Sequence, residues 1–521
     1  MLWTRFGRVA VVVVLSSVLA LTGCSSGTAE KKTEQPTQTA PAPAPKKDVV
    51  INIALNADPP KLDPHQSSAL VDRQVFQSLF DKLVEFDKDL KIVPMLAEKW
   101  DISADGLTYT FTLRKGVKFH DGTEFNADAV KYNFDRMMDP KFVSPRKTEI
   151  NSVEKVTVVD PNTVKLQLKQ PNASLLSVLA DRAGMIVSPT AAKAAGLDFL
   201  NNPVGTGPFK FKERVKGDSI TLVKNENYWQ AGLPKAAGIV YKTVTDENVK
   251  LVNLQAGQLD IIDTVPAKQV PALASDARVK IVKGPSLQYQ GLWLNVTKGP
   301  LADKRIRQAI DLAIDRAALV KVVFGDVAVP GWSPFAPGTP MGDSFPAPAR
   351  DLEKAKRLVA ETGAAGAVNI SLRVSPSPTN QQIAQVVQSM LAEANIKITI
   401  EQEEFGALLK RLGDKNYDMA QVGWSGRPDP DGNIYAFLIT GSGNNYSGYS
   451  NPKVDQLLGD ARKPSDMAQR KPVYEQIVKI AHDDVPYVYL WHPLVVMGLG
   501  PTVQGYVSVP DGMIRTANLT K

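Results

Sequence analysis

Nucleophilic and metal-assisted chemistry draws on a few residue types, and in this chain those types are sparse and scattered. There is one cysteine, Cys24, and there are four histidines, His65, His120, His482 and His492. A serine nucleophile needs a sharp Gly-x-Ser-x-Gly turn to expose its hydroxyl. Gly423-Trp424-Ser425-Gly426-Arg427 comes near but lacks the closing glycine. The patterns His-Glu-x-x-His, Gly-x-x-x-x-Gly-Lys-Ser/Thr and Gly-x-Gly-x-x-Gly do not occur. Asp429, Asp431 and Asn433 begin like a calcium loop. Ile434 then stands where that loop needs glycine, and Thr440 where it needs glutamate. The histidines read as structural, and no metal or other cofactor is expected. A secreted hydrolase would need a nucleophile–base pair that the sequence does not offer.

Cys24 carries chemistry of another kind. Arg5 and Arg8 precede an apolar run, Val9 to Leu21, broken only by two serines. The run is shorter than the roughly 18–20 residues that span a bilayer, and its length suits the core of a signal peptide. Leu21-Thr22-Gly23-Cys24 closes it and resembles the bacterial lipobox, whose cysteine thiol accepts a lipid and becomes the first residue after cleavage. Residues 1–23 are therefore expected to be a lipoprotein signal peptide. Residues 24–48, with the run Ala40-Pro41-Ala42-Pro43-Ala44-Pro45, cannot bury a core and read as a semi-stiff tether. Two or three acyl chains anchor a protein stably where one does not. The expected location is outside the cytoplasm, on the membrane through lipidated Cys24.

The rest of the chain has the means to fold. Of 521 residues 43% are hydrophobic and 22% charged, which suits a globular protein and excludes general disorder. The formal net charge is +7, or +5 without Arg5 and Arg8, and no dense Lys/Arg block marks a nucleic-acid partner. Val49, Ile51, Ile53 and Leu55 alternate as a half-buried strand does, as do Leu107 to Leu113 and Val164 to Leu168. Asn126 and Asp303 are placed to cap helices, the first with Val130, Phe134 and Met137 inward, the second with Ile306, Ile310, Ala313 and Ile314. A third helix carries Ile383, Val386, Val387, Met390 and Leu391. Pro472 predicts a helix start or kink. The mixture is α/β or α+β, with no obvious linker after Lys47.

From Ile51 onward the chain resembles the family 5 extracellular solute-binding proteins, the oligopeptide-, dipeptide- and nickel-binding components of ABC importers. The stretches that carry the likeness run in order: Leu62-Asp63-Pro64-His65, Pro94-Met95-Leu96-Ala97-Glu98-Lys99-Trp100, Phe119-His120-Asp121-Gly122-Thr123, and Pro203-Val204-Gly205-Thr206-Gly207-Pro208-Phe209. Leu254 to Asp260, Asp303 to Ala309, Gly423-Trp424-Ser425 and Tyr449-Ser450-Asn451-Pro452 follow. The resemblance implies an α/β type II periplasmic-binding-protein-like fold of two lobes with an extra inserted domain. Lobe one would comprise 49–83, 189–293 and 492–521, the inserted domain 84–188, and lobe two 294–491. Crossovers are expected near Leu292–Asn295 and Trp491–Pro493. A monomer of this kind would close on a short peptide and deliver it to an ABC permease. An oligosaccharide or amino-acid conjugate is the alternative on the same scaffold. A nickel chelate is disfavoured, since no His or Met cluster is visible.

The resemblance also singles out residues. In peptide-binding relatives an aspartate just after Gly-Trp-x-x pairs with the peptide ammonium; here Arg427 stands nearest, with Asp429 two residues on. Either Asp429 takes the ammonium or Arg427 grips a carboxylate in a bidentate fashion. Trp424, Trp293 and Tyr289 are candidate aromatic walls. Asn445 and Tyr446, beside Asn444, sit where relatives face the cleft, and Asp58 where they line its floor. The Gly205-Thr206-Gly207 loop could present backbone N–H groups to a ligand.

Overall fold

The computed structural model describes residues 49–521. The proposed signal, Cys24 and tether lie outside the described residues. Among those described, no helix is long and apolar enough to cross a membrane.

Two sheets and a smaller third organise the chain. The seven-stranded first sheet runs in the order Lys280–Gly284, Val495–Leu499, Ile261–Ile262, Val50–Leu55, Gly238–Thr243, Ser219–Lys224 and Phe209–Val215. Its central strand Val50–Leu55 is parallel to both neighbours and buries Ile51 and Ile53 completely. The alternation read from Val49 onward belongs to this strand. The six-stranded second sheet runs Ala328–Pro330, Tyr487–Pro493, Gln290–Leu294, Met419–Gln421, Val368–Val374 and Ile396–Gln402. Its core joins Leu292, Leu372 and Val488 to Ile310 and Val387 from the flanking helices.

A four-stranded antiparallel sheet, Ala97–Ile102, Thr108–Leu113, Thr163–Leu168 and Val153–Asp160, has a core of its own that extends from Leu83 to Ile186. The helix Ala127–Met138 closes this core with Val130, Phe134 and Met137. The Asn126 side chain accepts the Ala129 N–H at 3.0 Å, satisfying an orphan donor of the first turn. Asp303 caps Lys304–Ala313 in the same way, at 2.9 Å from Arg305 N. Pro472 starts nothing: the helix Met467–Asp484 begins five residues earlier at the Asp466 cap and runs through the proline.

The strands also place the crossovers. The chain leaves the first sheet at Gly284 and enters the second at Gln290, so the first passage is 285–289 and not Leu292–Asn295. Gln290–Leu294 is an interior strand, paired on both sides. The return is shorter: Tyr487–Pro493 ends in the second sheet, and Val495–Leu499 begins in the first, with Leu494 alone between.

All four histidines are buried or nearly so. His65 Nε2, His120 Nε2 and His492 Nδ1 lie 2.9–3.0 Å from backbone carbonyls. His482 stacks on Trp332 with ring centroids 3.8 Å apart. Burial holds each imidazole down to about 4, against 6.5 for the free group. Between those values the unfolded chain binds more protons than the folded one, so stability falls as pH drops from 6.5 towards 4. Each site accounts for a few kcal/mol, at about 1.4 kcal/mol per pKa unit. Asp72 and Asp81, which burial pushes up to about 7 and about 6, work in the opposite sense, but they are two groups against four. Denaturant midpoints measured between pH 7 and 4 should fall steadily. A midpoint flat across that window would contradict the burial of these imidazoles.

Candidate functional site

The second sheet and the loops after it build an aromatic wall. Tyr289, Trp293, Trp424, Phe437, Tyr446, Tyr487 and Tyr489 form one buried cluster. Trp424 meets Phe437 edge-on at 4.7 Å, and Trp293 meets Tyr446 at 5.4 Å and Tyr487 at 4.8 Å. A two-way backbone bridge between Tyr289 and Trp424 ties this wall to the first crossover passage. Edge-to-face pairs of this kind add to the apolar area they bury.

Arg427 is set with care at the end of that wall. Gly426 has φ +72, and a Cβ there would lie 2.0 Å from the Leu287 carbonyl, so the turn before Arg427 requires glycine. Asn433 clamps the Arg427 backbone from both ends, accepting its N–H at 2.7 Å and donating to its carbonyl at 2.8 Å. The guanidinium lies 4.3 Å from the centre of the Trp424 ring and forms an ion pair with Asp181. Burial, then the neighbouring Arg73, pulls it down to about 10. It remains a cation at neutral pH.

Asp181 stands across the gap, on the inserted sheet's side. Between the two sides is a narrow, partly open cavity of about 20 Å³. Glu149, Ser177 and Asp181 line one face; Trp424, Arg427 and Phe437 line the other. Direct bonds close the same gap. Arg462 donates to Asn151 Oδ1 at 2.9 Å, and Ser174 Oγ donates to Asp431 Oδ2 at 3.1 Å. Ser68 reaches Asn444 Oδ1 at 3.2 Å.

Several residues singled out in the sequence are committed elsewhere. Asp429 touches the cavity, but Arg470 holds both its oxygens at 2.7 Å, so it is not free for an ammonium group. Asp58 binds Arg214 at 2.9 Å and the Gly217 N–H at 3.1 Å; it anchors the Phe209–Val215 hairpin and not a cleft floor. Asn445 bonds its own loop on every side, from Ile439 O to Tyr449 N. The unpartnered polar group is next door: Asn444 Nδ2 is buried without a hydrogen-bond partner. In the Gly205-Thr206-Gly207 loop the two glycine N–H groups go to His120 Nδ1 and Leu79 O, and the backbone presses against Leu79. Tyr289, Trp293, Trp424, Arg427 and Tyr446 do come together.

Sequence reading missed Arg73, Arg146, Asp181 and Arg182. One signal was available: Asp181-Arg182 is a charged pair inside the mostly apolar stretch Leu175 to Val187. Charges are buried there only when something pairs with them. Among the described residues no group of three or more metal-binding side chains gathers.

The two sheets, the paired crossovers that join them and the inserted four-stranded sheet define a type II periplasmic-binding-protein fold. Solved structures agree. DppA from Helicobacter pylori in complex with the peptide STSA matches with a TM-score of 0.84 at 28% identity, covering 91% of this chain and 98% of that one. The binding protein AgaA from A. tumefaciens R10, in complex with agropinic acid, matches with a TM-score of 0.84 at 27% identity over 90% and 98%. The glutathione-binding protein GsiB of Salmonella choleraesuis is 33% identical over 476 residues, 89% of this chain and 93% of its own. The model of the bacterial extracellular solute-binding proteins, family 5 middle region, matches residues 91–446. The chain belongs to that family and has its solute-binding role.

Proposed function

We propose that this protein is a lipid-anchored receptor outside the cytoplasm that closes over short peptides and delivers them unaltered to an ABC importer. The observation that carries the reading is the Arg427–Asp181 pair across the aromatic-walled cavity. A zwitterionic guest can enter between them, its carboxylate on Arg427 and its ammonium on Asp181, exchanging one ion pair for two. Closure then follows from differential affinity, since such a guest touches both sides of the gap only in the closed form. The relatives named for glutathione and the neighbour holding a peptide support this class of guest. The neighbour holding agropinic acid keeps an amino-acid conjugate as the second candidate. A sugar would leave the charged pair without use. Hydrolysis of the guest is not part of the reading.

Mass spectrometry of solutes released on denaturing the purified protein tests the proposal; recovery of no peptide or conjugate, together with no calorimetric binding of glutathione or small peptides, would end it. Arg427→Ala should weaken binding of such a guest by about 1.5–3 kcal/mol, the range for hydrogen bonds to charged groups. Unchanged affinity would remove Arg427 from the site. Cys24→Ser should keep the protein in the aqueous phase of a detergent partition. Its appearance in the detergent phase would contradict the anchor.

A further inference from the structure

Four arginines meet beside the cavity, and they outnumber the carboxylates around them. Arg73, Arg146 and Arg182 are at most 1% exposed, and Arg427 is 5% exposed. Asp181 serves Arg73 and Arg427, and stands 4.0 Å from Arg182. Glu149 serves Arg146. Asp511 approaches Arg73 only to 3.7 Å and is taken by Arg515. Arg182 Nη1 is spent on the Ser67 carbonyl and hydroxyl and the Ala69 carbonyl, none of them charged. Four guanidinium charges therefore share two carboxylates of their own. The next acid, Asp72, is linked through Ser67, and burial pushes its carboxyl up to about 7, so it offsets only part of the excess.

The geometry shows the same imbalance atom by atom. Among the described residues, Arg73 Nη1, Arg146 Nε and Nη2, and Arg182 Nε and Nη2 are buried with no hydrogen-bond partner. Buried charge without pairing is strongly unfavourable, and native proteins leave few such donors unmatched. Burial, with the like charges of Arg146 and Arg427, holds the Arg182 guanidinium well below its ordinary range. The cluster adjoins the guest cavity. Arg427, Glu149 and Asp181 line that cavity, and the Trp424 ring lies 4.3 Å from the Arg427 guanidinium and 5.7 Å from that of Arg182.

We propose that Arg146 and Arg182, with Arg73 beside them, form a seat for a second acidic group on the guest, so that the preferred solute is a peptide or conjugate carrying two carboxylates. The inference rests on the receptor reading above and adds a charge requirement to it. An ordinary neutral peptide brings one carboxylate and one ammonium and leaves the excess in place. A guest with two carboxylates and one ammonium reduces it.

Calorimetry on the full chain with glutathione, its glycine monoethyl ester and trialanine provides the test. Glutathione should bind at least tenfold more tightly than the ester, which lacks one carboxylate. Arg146→Gln and Arg182→Gln should each shrink that preference to twofold or less, weakening glutathione more than the ester. Thermal melting of the unmodified protein gives a second readout that needs no variant: glutarate should raise the midpoint more than acetate at equal ionic strength. Equal affinity for glutathione and its ester, or no difference between glutarate and acetate, would overturn the seat. If no peptide binds but glutarate stabilises and Arg182→Gln abolishes the effect, the seat stands and the peptide reading falls.

Discussion

Asp181→Ala should destabilise the protein by about 3–5 kcal/mol, the usual consequence of leaving a buried charge without its partner. The effect is large because one carboxylate serves several cations: Arg73 at 2.6 Å, Arg427, and Arg182 at 4.0 Å. Burial alone would raise this carboxyl, but Arg427, Arg73 and Arg182 together hold it well below the usual carboxylate range. A folded value below the unfolded one adds stability above about pH 4 and loses it as pH falls further. Asp181→Ala should therefore cost most at neutral pH. Urea unfolding at pH 7 measures it, and a loss under about 1 kcal/mol would show that water reaches the arginines.

Asp431→Ala should cost a similar amount, about 3–5 kcal/mol, for a different partner. Arg462 donates from Nε and Nη2 to both Asp431 oxygens at 2.8 Å, with each side chain 2% exposed. Its Nη1 reaches Asn151 at 2.9 Å, and its guanidinium lies over the Tyr435 ring. Truncating Asp431 leaves that cation buried with only neutral neighbours. The paired replacement Asp431→Leu with Arg462→Met should recover most of the loss, because removing both charges avoids an unpaired one. If the double variant were as unstable as the single, the defect would be in packing and not in charge.

Period-two alternation is enough to find Thr108–Leu113 and Thr163–Leu168, since each buries one face in a core and leaves the other less covered; Val50–Leu55 alternates too, although Ala54 on its other face is buried in a second core. The same rule is silent at Gln290–Leu294, where Gly291 to Leu294 are all buried. A strand covered on both faces looks like any apolar run, so the sequence alone puts the first crossover several residues late. The aromatic wall and Arg427 were legible because they cluster around one motif. Asn444 and Asn445 were not separable, because backbone conformation alone decides which amide turns into its loop. The cluster of Arg73, Arg146 and Arg182 was hidden by distance along the chain; long-range folding gathers them, and no local spacing announces it.

The unequal lengths of the two crossovers have a mechanical consequence. Leu494 alone joins its two strands, while the other strap has the five residues 285–289. A strap of one residue cannot stretch, so the halves can turn about it but cannot slide apart there. Displacement then grows with distance from that pivot. A one-residue pivot fixes the axis of any opening and leaves its amplitude to the longer strap.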